Sequence, residues 1–271
     1  MHEAKPISSP MSLSIGISAF IGDPMEDPSL YRSTVGSLQY LSLTQPDLAF
    51  SVNRVCQFMH RPTKLHWQAV KRILRYLKHT ITHGLLLKHI LSSTIQAYSD
   101  ADWARCPDDC KSTGAYCVFI GSNLVSWSSR KQTNVSRSST EAEYKLVANT
   151  TAEVLWFKVL LCDIGVPIMA TPIIWCDNIG ATYLLVNPIF HARTKHVEID
   201  FHFVHDRVAD KTIQIRFIPS KEQLADVLTK PIVATHFQYF ITKLNVASPP
   251  LSLRGDVKPP ILSEIQILQD K

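Results

Sequence analysis

Four carboxylates in this chain stand where secondary-structure elements begin or end. Asp100 closes a run that reads as a strand, Asp177 directly follows another, Glu143 falls in the first turn of a long helical stretch, and Asp226 opens a short helix near Glu222 to Leu228. Carboxylates carried to the ends of neighbouring strands and to helix starts can converge on one point, where their repulsion is unfavourable unless divalent cations neutralise it. Two Mg2+ ions roughly 3.5–4 Å apart, held in this way, activate a water and stabilise the leaving oxygen in phosphodiester hydrolysis. Each residue also suits a purely structural role. Asp177 and Asp226 fit helix caps, and Thr140-Glu141-Ala142-Glu143 is a capping box, as is Ser138 to Glu141 just before it. Local pattern leaves Glu141 open beside Glu143, and Asp102 open beside Asp100.

Positioning such a set takes a sheet with helices packed on it. Ile95–Ser99, Ala115–Ile120 and Leu124–Ser129 are rich in β-branched and aromatic residues, with Gly121-Ser122-Asn123 as a hairpin turn between the last two. A helix follows from Glu141 to about Leu161, then a strand Pro172–Cys176, helices over 178–186 and 197–209, a strand Ile213–Phe217 and the short helix that carries Asp226. This order predicts an α/β fold with a mixed sheet. Upstream the pattern is helical over 31–43, from Pro46-Asp47 to about His60, and over 63–78, where Trp67, Val70, Ile73, Leu74 and Leu77 share one side and Lys64, Lys71, Arg75 and Lys78 another. Residues 1–28 read as a loose lead-in and 236–271 as a tail, which leaves 29–92 as a helical segment and 93–235 as the sheet domain.

The 271 residues are 45% apolar, enough to bury a core, and no apolar run approaches the length of a membrane span. No secretory signal is evident at the start, and six scattered cysteines read as free thiols of a reducing compartment, cytoplasmic or nuclear, with no disulfide-linked partner. The net charge of +5 is unevenly spread. Between Asp47 and Asp100 there are eight Lys or Arg residues and no acid, and the interval from Lys111 to Thr140 carries only Lys111, Arg130, Lys131 and Arg137. Basic stretches with isolated acids point to a polyanion partner, although solvated faces give the same pattern.

Several segments in one order are more specific than any spacing. YSDADWA (98–104), VSWSSRKQ (125–132), SRSSTEAEY (136–144), WCDNIGA (175–181), RTKHVEIDFHFV (193–204) and ADVLTKP (225–231) resemble the ribonuclease H domain of copia-type LTR-retrotransposon Pol polyproteins, in a plant-like form. Residues 31–80 resemble the connection segment that joins reverse transcriptase to that domain. The resemblance implies a ribonuclease H-like five-stranded mixed sheet flanked by helices, preceded by a helical connection segment. It also implies hydrolysis of the RNA strand of RNA·DNA hybrids with two Mg2+ ions, Mn2+ being a substitute. By motif, Asp100, Glu143, Asp177 and Asp226 are the implied catalytic and metal residues, with Asp100 bridging both ions and Glu141 as the alternative glutamate. Lys71, Arg75, Lys78, Arg130, Lys131, Arg193, Lys195 and His196 are the nucleic-acid-binding candidates, with His191 beside the last three.

The chain departs from the family pattern at Arg105, where glycine is usual, at Gly114-Ala115 in place of Ser-Gly, and at Cys110 in place of a basic residue. If position 105 required a positive φ, an arginine there would block the turn beside the site. The one Asp-Asp pair, Asp108-Asp109, lies inside the ribonuclease H match, so no polymerase palm is expected in this chain. The remainder of a reverse transcriptase acting in trans is an expected partner, and a further reading is a fragment that does not fold stably because the palm its connection helices packed against is absent, of which apolar surface exposed on residues 31–60 would be the sign. The alternative function is a catalytically inactive nucleic-acid-binding remnant of a Pol polyprotein.

Overall fold

The computed structural model describes residues 4–13, 16–89, 93–186 and 198–249. Helix α1 (Pro28–Leu41) starts three residues earlier than the apolar spacing predicts, because Asp27 caps it through Oδ1 to the Ser29 and Leu30 amides and Pro28 occupies its first turn. A 3-10 turn at Pro46–Leu48 leads into α2 (Ala49–Cys56), and α3 (Lys64–His79) opens on a capping box in which the Thr63 amide donates to His66 Nδ1. Strand β1 (Gly84–Leu85) follows.

The main sheet contains β2 (Ile95–Asp102), β3 (Thr113–Ile120), β4 (Asn123–Lys131), β5 (Ile173–Cys176) and β6 (Gln214–Phe217) in the order β4-β3-β2-β5-β6. The first three pair antiparallel, while β5 and β6 join β2 in parallel. The two-residue connection between β3 and β4 needs a left-handed residue, which Gly121 supplies at φ 59°. Helix α4 (Ser139–Asp163) lies between β4 and β5, α5 (Ile179–Val186) and α6 (Glu198–Ala209) between β5 and β6. The expected five-stranded mixed sheet with flanking helices and a helical segment before it is the architecture observed.

Alternation along the strands sends apolar side chains to two cores. Ala97 and Val118 face α4, α5 and α6, packing with Tyr144, Val147, Phe157, Phe201 and Val204. Ala115, Cys117 and Phe119 face the other way and are buried with Tyr31, Val35, Leu38, Leu48, Val52, Val55, Ile73 and Tyr76 of the helical segment. The apolar residues of 31–60 are therefore mostly covered within this chain, by one another, by the sheet and by the helices over 64–79 and 234–243. Tyr40 and Leu43 are among the exceptions that stay exposed.

Two expectations about loose ends are corrected. Residues 236–243, placed in the tail, belong to helix α7 (Ala234–Lys243), whose Phe237, Phe240 and Ile241 enter the second core, and β7 (Val246–Ala247) then pairs with β1. The tail from residue 250 onward lies outside the described residues. The lead-in has little regular structure but is pinned: Arg72 reaches Ser9 Oγ, Arg75 the Lys5 carbonyl and Lys78 the Ala4 carbonyl, while Met11 and Ile17 are buried.

Candidate metal centre

Strand register brings the first two acids together. Ser99 of β2 is paired with Cys176 of the parallel neighbour β5, so Asp100 and Asp177, one residue further along each, stand level at the same end of the sheet. Glu143 approaches from the first turns of α4, where its Oε1 accepts from the Ala101 amide at 3.1 Å. Asp100, Glu143 and Asp177 each offer an oxygen, and these three oxygens lie within 4.8 Å of one another. Gly180 permits the close approach of α5 to the start of α4, since a Cβ there would meet Thr140 Oγ1 at 3.0 Å.

Glu141 takes the other role that the sequence left open. Ser138 caps α4 by accepting from the Glu141 amide, and the Glu141 carboxylate accepts from the Arg137 amide and pairs with Lys145 at 2.6 Å. Asp102 faces Arg105 at 3.5 Å and is not part of the three-acid group. Arg105 itself does not carry a positive φ. The left-handed residue in this turn is Ala104, at φ 53°, and its amide is bound by Ser112 Oγ.

Asp226 sits on the short helix expected here, and that helix is of the 3-10 kind. Leu224–Leu228 is a 3-10 helix lying against β2 and β3. Asp226 forms an ion pair with Lys230 at 2.8 Å. Thr229 Oγ1 donates to Asp100 Oδ2, and Ser220 Oγ donates to Asp177 Oδ2 at 2.8 Å.

The electrostatics are those of an under-neutralised acidic cluster. Glu143 is 5% exposed, and burial followed by the Asp100 charge pushes its carboxyl up to about 9. Burial and Asp100 push Asp226 up to about 8 against the pull of Lys230. Asp100, 3% exposed, is also raised, first by burial, with Lys230 and Thr229 acting in the opposite direction. Glu143 Oε2 is buried with no hydrogen-bond partner. A buried acceptor without a donor, on a residue grouped with two further carboxylates, is a poor hydrogen-bonding arrangement and a good hard-cation donor set, so the residues fit a divalent oxygen-ligated metal.

Of the basic candidates, Arg130 and Lys131 line a groove of about 500 Å3 with Gln132, Asn134, Lys145 and Asn149. Lys131 is also tied to Asp109 at 2.8 Å. Trp103, half-exposed, is fixed beside this loop by its indole N–H on the Ser136 carbonyl at 2.9 Å. Arg75 and Lys78 are used on the lead-in, and the Lys71 ammonium stands over the Trp67 ring at 6.0 Å. Arg193, Lys195, His196 and His191 lie outside the described residues. The sequence reading missed Thr229, Lys230, Ser220 and Gln223, although ADVLTKP and the residues before it stood in view.

A mixed sheet of this order with carboxylates at its adjacent strand ends has the ribonuclease H-like architecture. The chain is similar to retrovirus-related Pol polyproteins of plant transposons. It is 49% identical over 252 residues to the Pol polyprotein of transposon RE1 of Arabidopsis thaliana, covering 93% of this chain and 17% of the relative. It is 48% identical over 255 residues to that of transposon RE2 of the same plant, covering 94% of this chain and 18% of the relative. With the Pol polyprotein of transposon TNT 1-94 of Nicotiana tabacum it shares 35% identity over 247 residues, 88% of this chain and 18% of the relative. The chain thus spans under a fifth of the length of these relatives. No protein-family model matches it. Solved structures similar to it include the N-terminal RNase H domain of rv2228c from Mycobacterium tuberculosis, at 12% identity and a TM-score of 0.36 over 56% of this chain and 98% of that one. Another is LC11-RNase H1 in complex with an RNA/DNA hybrid, at 12% identity and 0.37 over 50% and 94%. No described helix is long and apolar enough to cross a membrane.

Proposed function

We propose that this chain is a divalent-metal-dependent endonuclease that hydrolyses the RNA strand of RNA·DNA hybrids during retrotransposon reverse transcription. The observation that carries this reading is the three-acid group, Asp100, Glu143 and Asp177, with oxygens within 4.8 Å of one another and Asp226 on the adjoining 3-10 helix. Bound there, Mg2+ or Mn2+ would polarise the phosphodiester and lower the pKa of an attacking water. Asp100, Glu143 and Asp177 would hold it, with Asp226 completing a second position. Ser220 orients the Asp177 carboxylate, and the Ala101 amide fixes the Glu143 carboxylate with its other oxygen free for a ligand. In the groove, Arg130 offers a cation to a nucleic-acid backbone, while Lys131 and Lys145 beside it are paired with Asp109 and Glu141. The choice of a hybrid, and of its RNA strand, comes from the resemblance to the Pol ribonuclease H domain. The remaining Pol domains are the expected partners.

Incubating the protein with Mg2+ and a hybrid labelled on either strand tests this. Cleavage of the RNA strand alone is expected, and a correctly folded protein that cuts neither strand overturns the reading. A second reading, a nucleic-acid-binding relic without catalysis, is favoured by one observation: the Lys230 ammonium already neutralises part of the cluster at Asp226. Salt-sensitive hybrid binding without Mg2+-dependent cleavage would establish it.

A further inference from the structure

Gln223, Asp226 and Thr229 are spaced by three, and the element between the first and last is a 3-10 helix. The helix covers Leu224–Leu228, with Gln223 as its extended N-cap and Thr229 as its C-cap, so the two residues flank Asp226 at opposite ends. Both send their side chains to β2. Gln223 has 0% exposure, and its Nε2 donates to the Ser99 carbonyl at 2.9 Å while its Oε1 accepts from the Ala225 amide at 3.3 Å. At the other end Thr229, also buried, donates from Oγ1 to Asp100 Oδ2, with the Asp226 carbonyl as a longer second acceptor at 3.2 Å. The Gln223 carbonyl accepts the Asp226 amide at 3.2 Å. The short helix is therefore fastened to two consecutive residues of β2, 99 and 100, by residues placed symmetrically about Asp226.

We propose that Gln223 and Thr229 are positioning residues of the metal centre, locking the Asp226 helix to the strand that carries Asp100 so that the carboxylates face the site before a cation arrives. The inference rests on the metal-dependent reading above. A 3-10 helix of five residues has too few internal bonds to hold its own place. Without the two fastenings the helix is free to move off β2, and once Asp226 and Asp100 are both ionised their repulsion drives it that way. Thr229 also engages one Asp100 oxygen and so fixes the rotation of that carboxylate, leaving the other oxygen to the site. The sequence spacing Gln-x-x-Asp-x-x-Thr is the trace of this arrangement.

The test measures Mg2+ and Mn2+ affinity of the whole chain by calorimetric titration and by the metal dependence of the melting temperature, with no substrate present. Thr229→Val keeps shape and loses the donor, and is expected to weaken affinity by about ten- to a hundredfold, the range for loss of groups that orient metal ligands. Thr229→Ser restores the hydroxyl and is expected to return affinity to near wild type. Gln223→Met, near-isosteric but unable to donate to Ser99, is the second variant and should shift affinity in the same direction. Unchanged affinity in folded Thr229→Val and Gln223→Met, or tighter binding in either, overturns the proposal. Failure of the wild-type protein to bind either ion would instead overturn the metal reading on which it rests.

Discussion

Asp100 and Asp177 lie level on neighbouring parallel strands because Ser99 is in register with Cys176. A one-residue slip of β5 would turn Asp177 to the other face of the sheet, so this pairing sets the geometry of the cluster. Neutralising one member should separate catalysis from folding. Asp100→Asn keeps an acceptor for Thr229 while removing a buried charge next to Glu143 and Asp226. The metal-free variant is expected to be more stable than wild type, by something of the order of 1 kcal/mol, while losing both hybrid cleavage and the rise of melting temperature on adding Mg2+. A metal-free variant less stable than wild type would contradict this account of the charges.

The same cluster imposes a pH dependence on the metal-free protein. Glu143 is raised to about 9 and Asp226 to about 8, against ordinary carboxyl values near 4 in the unfolded chain. Between pH 4 and pH 9 the native state then binds more protons than the unfolded state, so these groups subtract stability progressively as pH rises through that window. Denaturant titrations at pH 5, 7 and 9 in a chelating buffer should show this decline. Saturating Mg2+ should flatten it, because a bound cation favours the ionised carboxylates.

Cutting the chain at the start of the sheet domain should be costly. A fragment of residues 93–235 would uncover Ala115, Cys117, Phe119 and Leu124, which are buried against Leu48, Val52, Val55 and Phe240. Each large apolar side chain returned to water costs about 1.5–3 kcal/mol, so several together approach the whole stability of an ordinary domain. The fragment is expected to bind a hydrophobic dye and to lack a cooperative melt, and co-expression with residues 4–92 should recover folding only where α7 is retained. A cooperative melt from the fragment alone would show that the second core is dispensable.

In the turn that follows the first acidic strand, Ala104 adopts φ 53°. A left-handed conformation costs a non-glycine residue roughly 1 kcal/mol or more, so Ala104→Gly should raise the melting temperature by about 2–4 °C. Arg105→Gly, the change toward the family pattern, removes the contact with Asp102 and relieves no backbone strain. It is expected to leave the melting temperature unchanged or slightly lower.

The strands, the long helix and the ends at which four acids sit were legible because alternation, caps and turns are local signals. The choice between Glu141 and Glu143 was not. Both fit a capping box, and only the pairing of Glu141 with Lys145 and the Arg137 amide in three dimensions separates them. Nor was the 3-10 geometry around Asp226, since five residues carry too short a pattern to distinguish it from an α-helix. The basic side of α3 looked free because the acceptors for Arg75 and Lys78 are backbone carbonyls about seventy residues upstream, which leave no mark on the sequence. Helix α7 was hidden in the same way, its apolar residues having their partners far back along the chain.

The burial of β3 against α2, α7 and the 3-10 turn at Pro46–Leu48 bears on how such elements can recombine. A crossover near residue 93 would join one lineage's helices to another's sheet and leave two half-cores that had never been selected to fit. A crossover upstream of the lead-in would pass both halves on together. By this packing, the helical segment and the sheet with its acidic end would keep a fitted core only when passed on as one unit.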